Sequence, residues 1–174
     1  MSLKELTADK HAEAESTSFM KAVFAGKMTP KVWTDFTFQK HAFYKEIEDK
    51  ADMYGLLEDL PGIKRADLIM QDYRLMLSED ETHALTESAY NYCAYIRSLH
   101  DPVRIMAHLY TWHMGDMFGG QMIKKIVDAP SSHLDFENAT ELKTTIRSKL
   151  TDDMAEEANV AFDWAIRILN QYEF

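Results

Sequence analysis

The chain has one cysteine, Cys93, four prolines and six glycines in 174 residues, and no apolar run near the roughly 20 residues of a membrane-spanning helix. A single thiol excludes an intramolecular disulfide and any metal site built from thiolates alone, which suits a reducing compartment. No signal-like segment precedes the first charged amphipathic stretch and no tail anchor follows near Phe174, so a soluble, cytoplasmic protein is expected. Positive charge is also short. With 19 Lys and Arg against 29 Asp and Glu, the formal net charge is −10, which disfavours nucleic acid or an anionic membrane as a partner. Strand alternation, internal repeats and low-complexity segments are missing too. What remains is 46% hydrophobic and 11% aromatic, the composition of a chain that buries a real core, expected as one domain over residues 1–174.

Helix signals fill that domain. Ser2-Leu-Lys-Glu5 has the form of a capping box, and Leu3, Leu6, Phe19, Val23 and Phe24 carry an apolar pattern to Gly26, which predicts one helix over about 3–25. Thr29-Pro30 opens a second, and Val32, Trp33, Phe36, Phe43, Tyr44 and Ile47 take it to about residue 51. A third is expected over 64–77, and Ser78-Glu-Asp-Glu81, a second capping box, predicts a fourth running to about Leu99. Asp101-Pro102 starts a long pattern to about Val127, and two more helices near 138–150 and 152–172 complete an all-α bundle of about seven.

The stretch YTWHMGDMFGGQMIKK, from Tyr110 to Lys125, sits inside one of these helices although each interior glycine costs roughly 0.8–1 kcal/mol against alanine. At about 100° per residue Gly115 and Gly119 fall on nearly one line, with Asp116 and Gly120 within a further quarter turn or so. The result is a bare strip of backbone with a carboxylate in it, which a second helix or a flat ligand could approach, and Gly119-Gly120 is a place for a kink. On the first predicted helix Lys4, Ala8, His11 and Glu15 share a face. His11 thus has a carboxylate one turn later and an ammonium two turns earlier, an arrangement that serves an iron porphyrin or, equally, an ordinary solvated face. Lys143 and Arg147, one turn apart with Lys149 nearby, suit two neighbouring ligand carboxylates or a solvated basic edge.

Together these stretches resemble the heme oxygenase family. AHLYTWHMGDMFGGQMIKKI is similar to its distal-helix signature, LKELTADKHAEAESTSFM to its proximal helix, and ELKTTIRSKL to its propionate-binding segment. The resemblance implies a bundle with heme between a proximal and a kinked distal helix, His11 as iron ligand with Glu15 as its partner, and Tyr110, Lys4, Lys143 and Arg147 on the propionates. It implies close backbone approach at Gly115, Gly119 and Gly120, and Asp116 as the acid that holds a distal water network. The implied activity is cleavage of heme b, cofactor and substrate at once, to biliverdin, expected to be the α isomer, with release of iron and carbon monoxide. Dioxygen and an electron donor such as ferredoxin are the implied co-reactants, a bilin reductase the downstream partner, and no tightly bound flavin or other metal is expected. Lys21, Lys27, Lys31, Lys124 and Lys125 are candidates for docking an acidic donor. Met20 and Phe162 match apolar pocket positions. Trp112-His113 departs from the Arg-Tyr common in the family, and Met117-Phe118 from a leucine and a small residue, departures whose effect on the distal water network the resemblance leaves open. His108 is expected as a packed or partly exposed histidine and Cys93 as structural. The competing readings are a heme-binding or heme-transfer protein without turnover, and a relative acting on thiamine breakdown products through a catalytic cysteine.

Overall fold

Helix α4, Pro30–Met53, runs through the middle of the molecule because its sequence starts and stops it cleanly. Thr29 accepts a hydrogen bond from the Val32 amide, Pro30 takes the first helical position, and Gly55 leaves the helix at φ +70°. The computed structural model describes residues 2–174, and among them there are helices and turns but no strand. Helices α5 (Ala66–Met76), α6 (Glu87–Ser98) and α7 (Pro102–Leu109) pack on α4, and Phe43, Tyr44, Ile47 and Ala51 are wholly buried between them. Helix α10 (Ala155–Leu169) closes another side against α6, α7 and the N-terminal helices, with the Trp164 ring stacked on Tyr92 at 5.4 Å.

The predicted first helix is three: α1 (Leu3–Leu6), α2 (Ala8–Glu15) and α3 (Ser18–Phe24). Hydroxyl groups explain the breaks, since they offer the backbone partners other than the helix ladder. Thr7 donates back to the Leu3 carbonyl, Ser16 to that of Ala12, and Thr17 caps α3 by accepting from the Met20 amide. Only half of the second capping box forms, the Glu81 carboxylate accepting from the Ser78 amide at 3.4 Å while the Ser78 hydroxyl donates to Glu81 instead of accepting from its amide, and no helix follows; α6 begins instead at its cap Thr86. Between them Gln39 of α4 holds the chain, donating to the Ala84 carbonyl at 2.9 Å and accepting from the Thr86 amide at 3.0 Å.

The long pattern over 102–127 is interrupted as well. One turn of π-helix, Tyr110–Met114, separates α7 from α8 (Gly115–Ile126), so the departure from α geometry lies just before the glycines. Thr111 donates to the Ala107 carbonyl at 2.9 Å, Trp112 to the Tyr92 hydroxyl at 2.9 Å, and His113 pairs with Glu48 at 2.8 Å; these bonds pin the wide turn from three directions. The 3-10 turn Ser132–Leu134 then packs on α5 and α8, and α9 (Ala139–Lys149) leads to a second 3-10 turn, Asp152–Met154, and α10.

The three glycines of α8 separate on geometry. A methyl group at Gly115 or Gly119 would meet nothing within 4 Å, whereas at Gly120 it would lie 3.0 Å from Leu134 Cδ2. Gly120 is therefore a packing glycine, and its expected place on a ligand-facing strip is corrected. Gly115→Ala and Gly119→Ala should each stabilise the free protein by up to about 1 kcal/mol in urea unfolding, because only helix propensity changes. Gly120→Ala should give no such gain, and a gain equal to the others would overturn its packing role.

Candidate active site

Helix α8 divides into two faces. Gly115, Phe118, Gly119 and Met122 are exposed at i, i+3, i+4 and i+7, an apolar strip on which no other part of the protein packs closely at the glycines. Met117 and Gly120 point into the core, and Asp116, only 8% exposed, turns inward from the edge of the strip. Its carboxylate is thus not displayed on the strip, as the helical spacing suggests, but gripped from behind.

The grip comes from two helices and a turn. Tyr44 donates to Asp116 Oδ2 at 2.6 Å and Lys40 to Oδ1 at 2.9 Å, both from α4. Lys40 Nζ also lies 3.2 Å from His133 Nε2, and His133 Nδ1 lies 2.7 Å from Asp72 Oδ2 on α5. Burial alone pushes the Asp116 carboxyl up, but the Lys40 charge, His133 and the bonds from Tyr44 and Lys40 overcome it, leaving the group below the ordinary carboxylate value. Burial and the neighbouring Lys40 push His133 down from its ordinary value near 6.5, against the opposing pull of Asp72 and Asp116. Burial, then Asp116, pushes the Tyr44 phenol well up.

Beside the strip, Lys143 Nζ and Arg147 Cζ of α9 lie over the Phe118 ring at 4.1 and 5.4 Å from its centroid. Phe118 therefore faces the basic pair and not the partners of Asp116. Tyr110, in the π turn, joins this group: burial pushes its phenol up, while the Thr7 hydroxyl and the Arg147 charge pull the other way. Tyr110, Lys143, Arg147 and the strip are thus brought together.

His11 stands on α2, which is docked to α10 by the Lys10–Asp163 ion pair at 2.8 Å and by His11 edge-on to Phe162 at 5.7 Å. Its side chain is 58% exposed, with Nε2 3.3 Å from Glu15 Oε1, so one imidazole nitrogen faces a carboxylate and the other is uncommitted among the described residues. Lys4 is exposed on α1, and Thr7 breaks the continuous face predicted to join it to His11 and Glu15. Met20 is half-buried against the core. A cleft of about 400 Å³ lined by Val23, Trp33, Met76 and Val127 contains none of these residues.

The remaining chemistry-bearing side chains are held inside. His108 is buried between Tyr92 at 2.7 Å and Glu157 at 2.9 Å, which removes it from the exposed strip and from any part in binding a ligand there. Cys93 lies in the core, and burial pushes its thiol up to about 11, away from the thiolate that a nucleophile needs. Lys124, expected on a docking patch, is paired with Asp135. Lys40, Tyr44, His133 and Asp72 are the site residues that sequence reasoning missed. The one visible signal was Lys40, a charge on the apolar line of Phe36, Phe43 and Ile47.

These features define a helical protein with a bare glycine strip, a buried acid behind it and basic groups at its rim, the layout of a site for a flat anionic ligand. The chain belongs to the heme oxygenase family, whose family model, Heme oxygenase, matches residues 1–149. Heme oxygenase 2 of Rattus norvegicus is 26% identical over 204 residues, which cover 98% of this chain and 64% of that protein, so the chain spans a little under two thirds of that relative's length. The crystal structure of heme oxygenase-1 from the cyanobacterium Synechocystis in complex with heme superimposes with a TM-score of 0.88 at 21% identity, covering 98% of this chain and 90% of that one. The structure of heme oxygenase from Leptospira interrogans gives a TM-score of 0.85 at 20% identity, covering 99% of this chain and 100% of that one. The fold is theirs. No helix among the described residues is long and apolar enough to cross a membrane.

The buried network makes stability depend on pH. The unfolded chain binds a proton at His133 more readily than the folded one, as it does at His41, also pushed down, first by burial; stability should fall as pH drops below the ordinary value near 6.5. Asp116 and Asp72 are held below their ordinary value of 3.8, so their contribution is present above that value and is lost as pH falls through the lower, folded-state value. Melting temperatures of the free protein between pH 8 and 3 should show both stages. A melting temperature flat down to pH 4 would contradict the first.

Proposed function

We propose that the protein is a heme oxygenase, residues 1–174 forming one such domain that cleaves heme to biliverdin, the α isomer, with release of iron and carbon monoxide. The observation that carries this reading is the pair Gly115 and Gly119, which face nothing in the protein, beside a carboxylate that the protein has fixed in place. Family membership supports it, as do the names of the relatives and the heme in the Synechocystis complex.

The residues present fit heme. A face without side chains accepts a planar macrocycle, the exposed imidazole of His11 offers a nitrogen to iron while Glu15 steadies the other, and Lys143, Arg147 and Tyr110 offer charge and hydrogen bonds to two carboxylates. Lys4, exposed on α1, would add a second ammonium. Heme supplies the iron at which dioxygen is reduced, with electrons from outside; a ferredoxin docking at Lys21, Lys27, Lys31 and Lys125 is the donor we favour, with a bilin reductase taking the product. The chain's own part is to hold the macrocycle in one rotational setting through the basic pair, to exclude bulk water with the strip, and to present Asp116 as a fixed hydrogen-bond acceptor for water on that side.

A single aerobic turnover of bound heme with a reducing system should convert the Soret band to the broad long-wavelength absorption of biliverdin, with the α isomer identified by chromatography. Loss of the Soret band without biliverdin would reject turnover and leave a heme-binding protein. His11→Ala should lose the normal ferric spectrum until imidazole is added. Asp116→Ala should keep heme affinity while slowing biliverdin formation by about a hundredfold or more; turnover at the parent rate would remove Asp116 from the mechanism. Gly119→Leu, which fills the open face, should weaken heme binding without lowering the stability of the free protein.

A further inference from the structure

The side chains behind Asp116 form a chain of fixed direction. Asp72 Oδ2 accepts from both the backbone amide and Nδ1 of His133, at 2.9 and 2.7 Å, and Asp72 Oδ1 accepts from Ser132 at 2.6 Å. A carboxylate cannot donate, so Nδ1 carries the imidazole proton and Nε2 is left as an acceptor. Its partner is the Lys40 ammonium at 3.2 Å, which sends a second N–H to Asp116 Oδ1 at 2.9 Å. Tyr44 occupies the other Asp116 oxygen. Asp72, His133, Lys40 and Asp116 are 1%, 2%, 7% and 8% exposed, so water does little of this work.

A purely structural purpose explains the arrangement poorly. A buried ion pair is costly to desolvate, and apolar residues of the same volume commonly stabilise a fold at least as well. What the pair provides is direction: one carboxylate, both of whose oxygens are committed, at the edge of the strip.

We propose that Lys40, aimed by the Asp72-bound His133, is a positioning residue for this reaction, fixing the Asp116 carboxylate in a single orientation on the distal side of the heme site. The proposal rests on the heme-cleavage reading and adds to it a residue outside the stretches that carry the family resemblance. The groups facing Asp116 are Lys40 and Tyr44 from α4 and His133 from the 3-10 turn, with the Arg65 guanidinium farther out. Removing Lys40 takes away the one close cation.

The test uses heme-free protein first. In carbon-13 NMR of labelled aspartate, the Asp116 carboxyl of the wild type should titrate below the ordinary range, and Lys40→Met should move its midpoint up by about two pH units. Lys40→Arg should restore most of the shift, and His133→Leu should produce a smaller upward one. With heme added, Lys40→Met should keep the Soret band and affinity but yield at least tenfold less biliverdin per turnover, recovered in Lys40→Arg. An unmoved Asp116 midpoint in Lys40→Met, or full biliverdin yield from it, overturns the proposal. Should Lys40→Met fail to fold, Lys40→Gln carries the same comparison, and failure of both beside a folded Lys40→Arg overturns it in favour of a structural ion pair. Wild-type protein that binds heme and makes no biliverdin sinks the heme-cleavage reading separately, with the titration of Asp116 untouched by that result.

Discussion

Helix α4 carries polar side chains into the core, and the other elements are arranged to supply their partners. Lys40, Tyr44 and Glu48 stand at successive turns of one face. Lys40 reaches Asp116 and His133, Tyr44 reaches Asp116, and Glu48 accepts from His113 and from the amides of Arg65 and Ala66, capping the start of α5. Gln39 binds the backbone before α6, and Lys50 donates to the Leu99 carbonyl at its end. A buried polar group without a partner costs on the order of 1–3 kcal/mol, so each of these bonds selects one placement of a neighbour over its alternatives. Apolar packing condenses the helices; the polar line along α4 sets where each one stops.

The same requirement explains why the π turn sits where it does. Tyr44 and Glu48 receive Asp116 and His113, three residues apart in sequence, while Trp112 must reach Tyr92 on α6. An uninterrupted α-helix from Pro102 to Ile126 advances its faces at a constant rate, and one widened turn resets them. The acid then faces inward and Gly115 and Gly119 outward.

Most of the fold was legible in the sequence because its signals are local. Thr29-Pro30, Asp101-Pro102 and the apolar spacing of Val32 to Ile47 gave α4 and the start of α7 nearly to the residue. The failures came where two local signals compete or where a distant group decides. Thr7, Ser16 and Thr17 divided the first helix with hydroxyl bonds that apolar spacing does not reveal, and the half-formed capping box at Ser78 is followed by chain that Gln39, more than forty residues away, holds out of a helix. In the candidate site, His11, Gly115, Gly119, Asp116, Lys143 and Arg147 could be proposed because spacing groups each set within its own helix and the three stretches resemble one family. His133 and Asp72 could not, since their role exists only through Lys40, and each of the three comes from a different element.

The π turn also has a consequence for comparing this chain with its relatives. Relative to a plain α-helix, the widened turn spends one additional residue between Tyr110 and Met114 without lengthening the path between α7 and α8 by a full helical step. A homologue that crosses the same interval with ordinary α geometry must drop one residue to keep its acid inward and the counterparts of Gly115 and Gly119 outward. The register of the distal motif against the rest of the helix is therefore a heritable trait that a single-codon deletion can alter, independent of which amino acids occupy the motif.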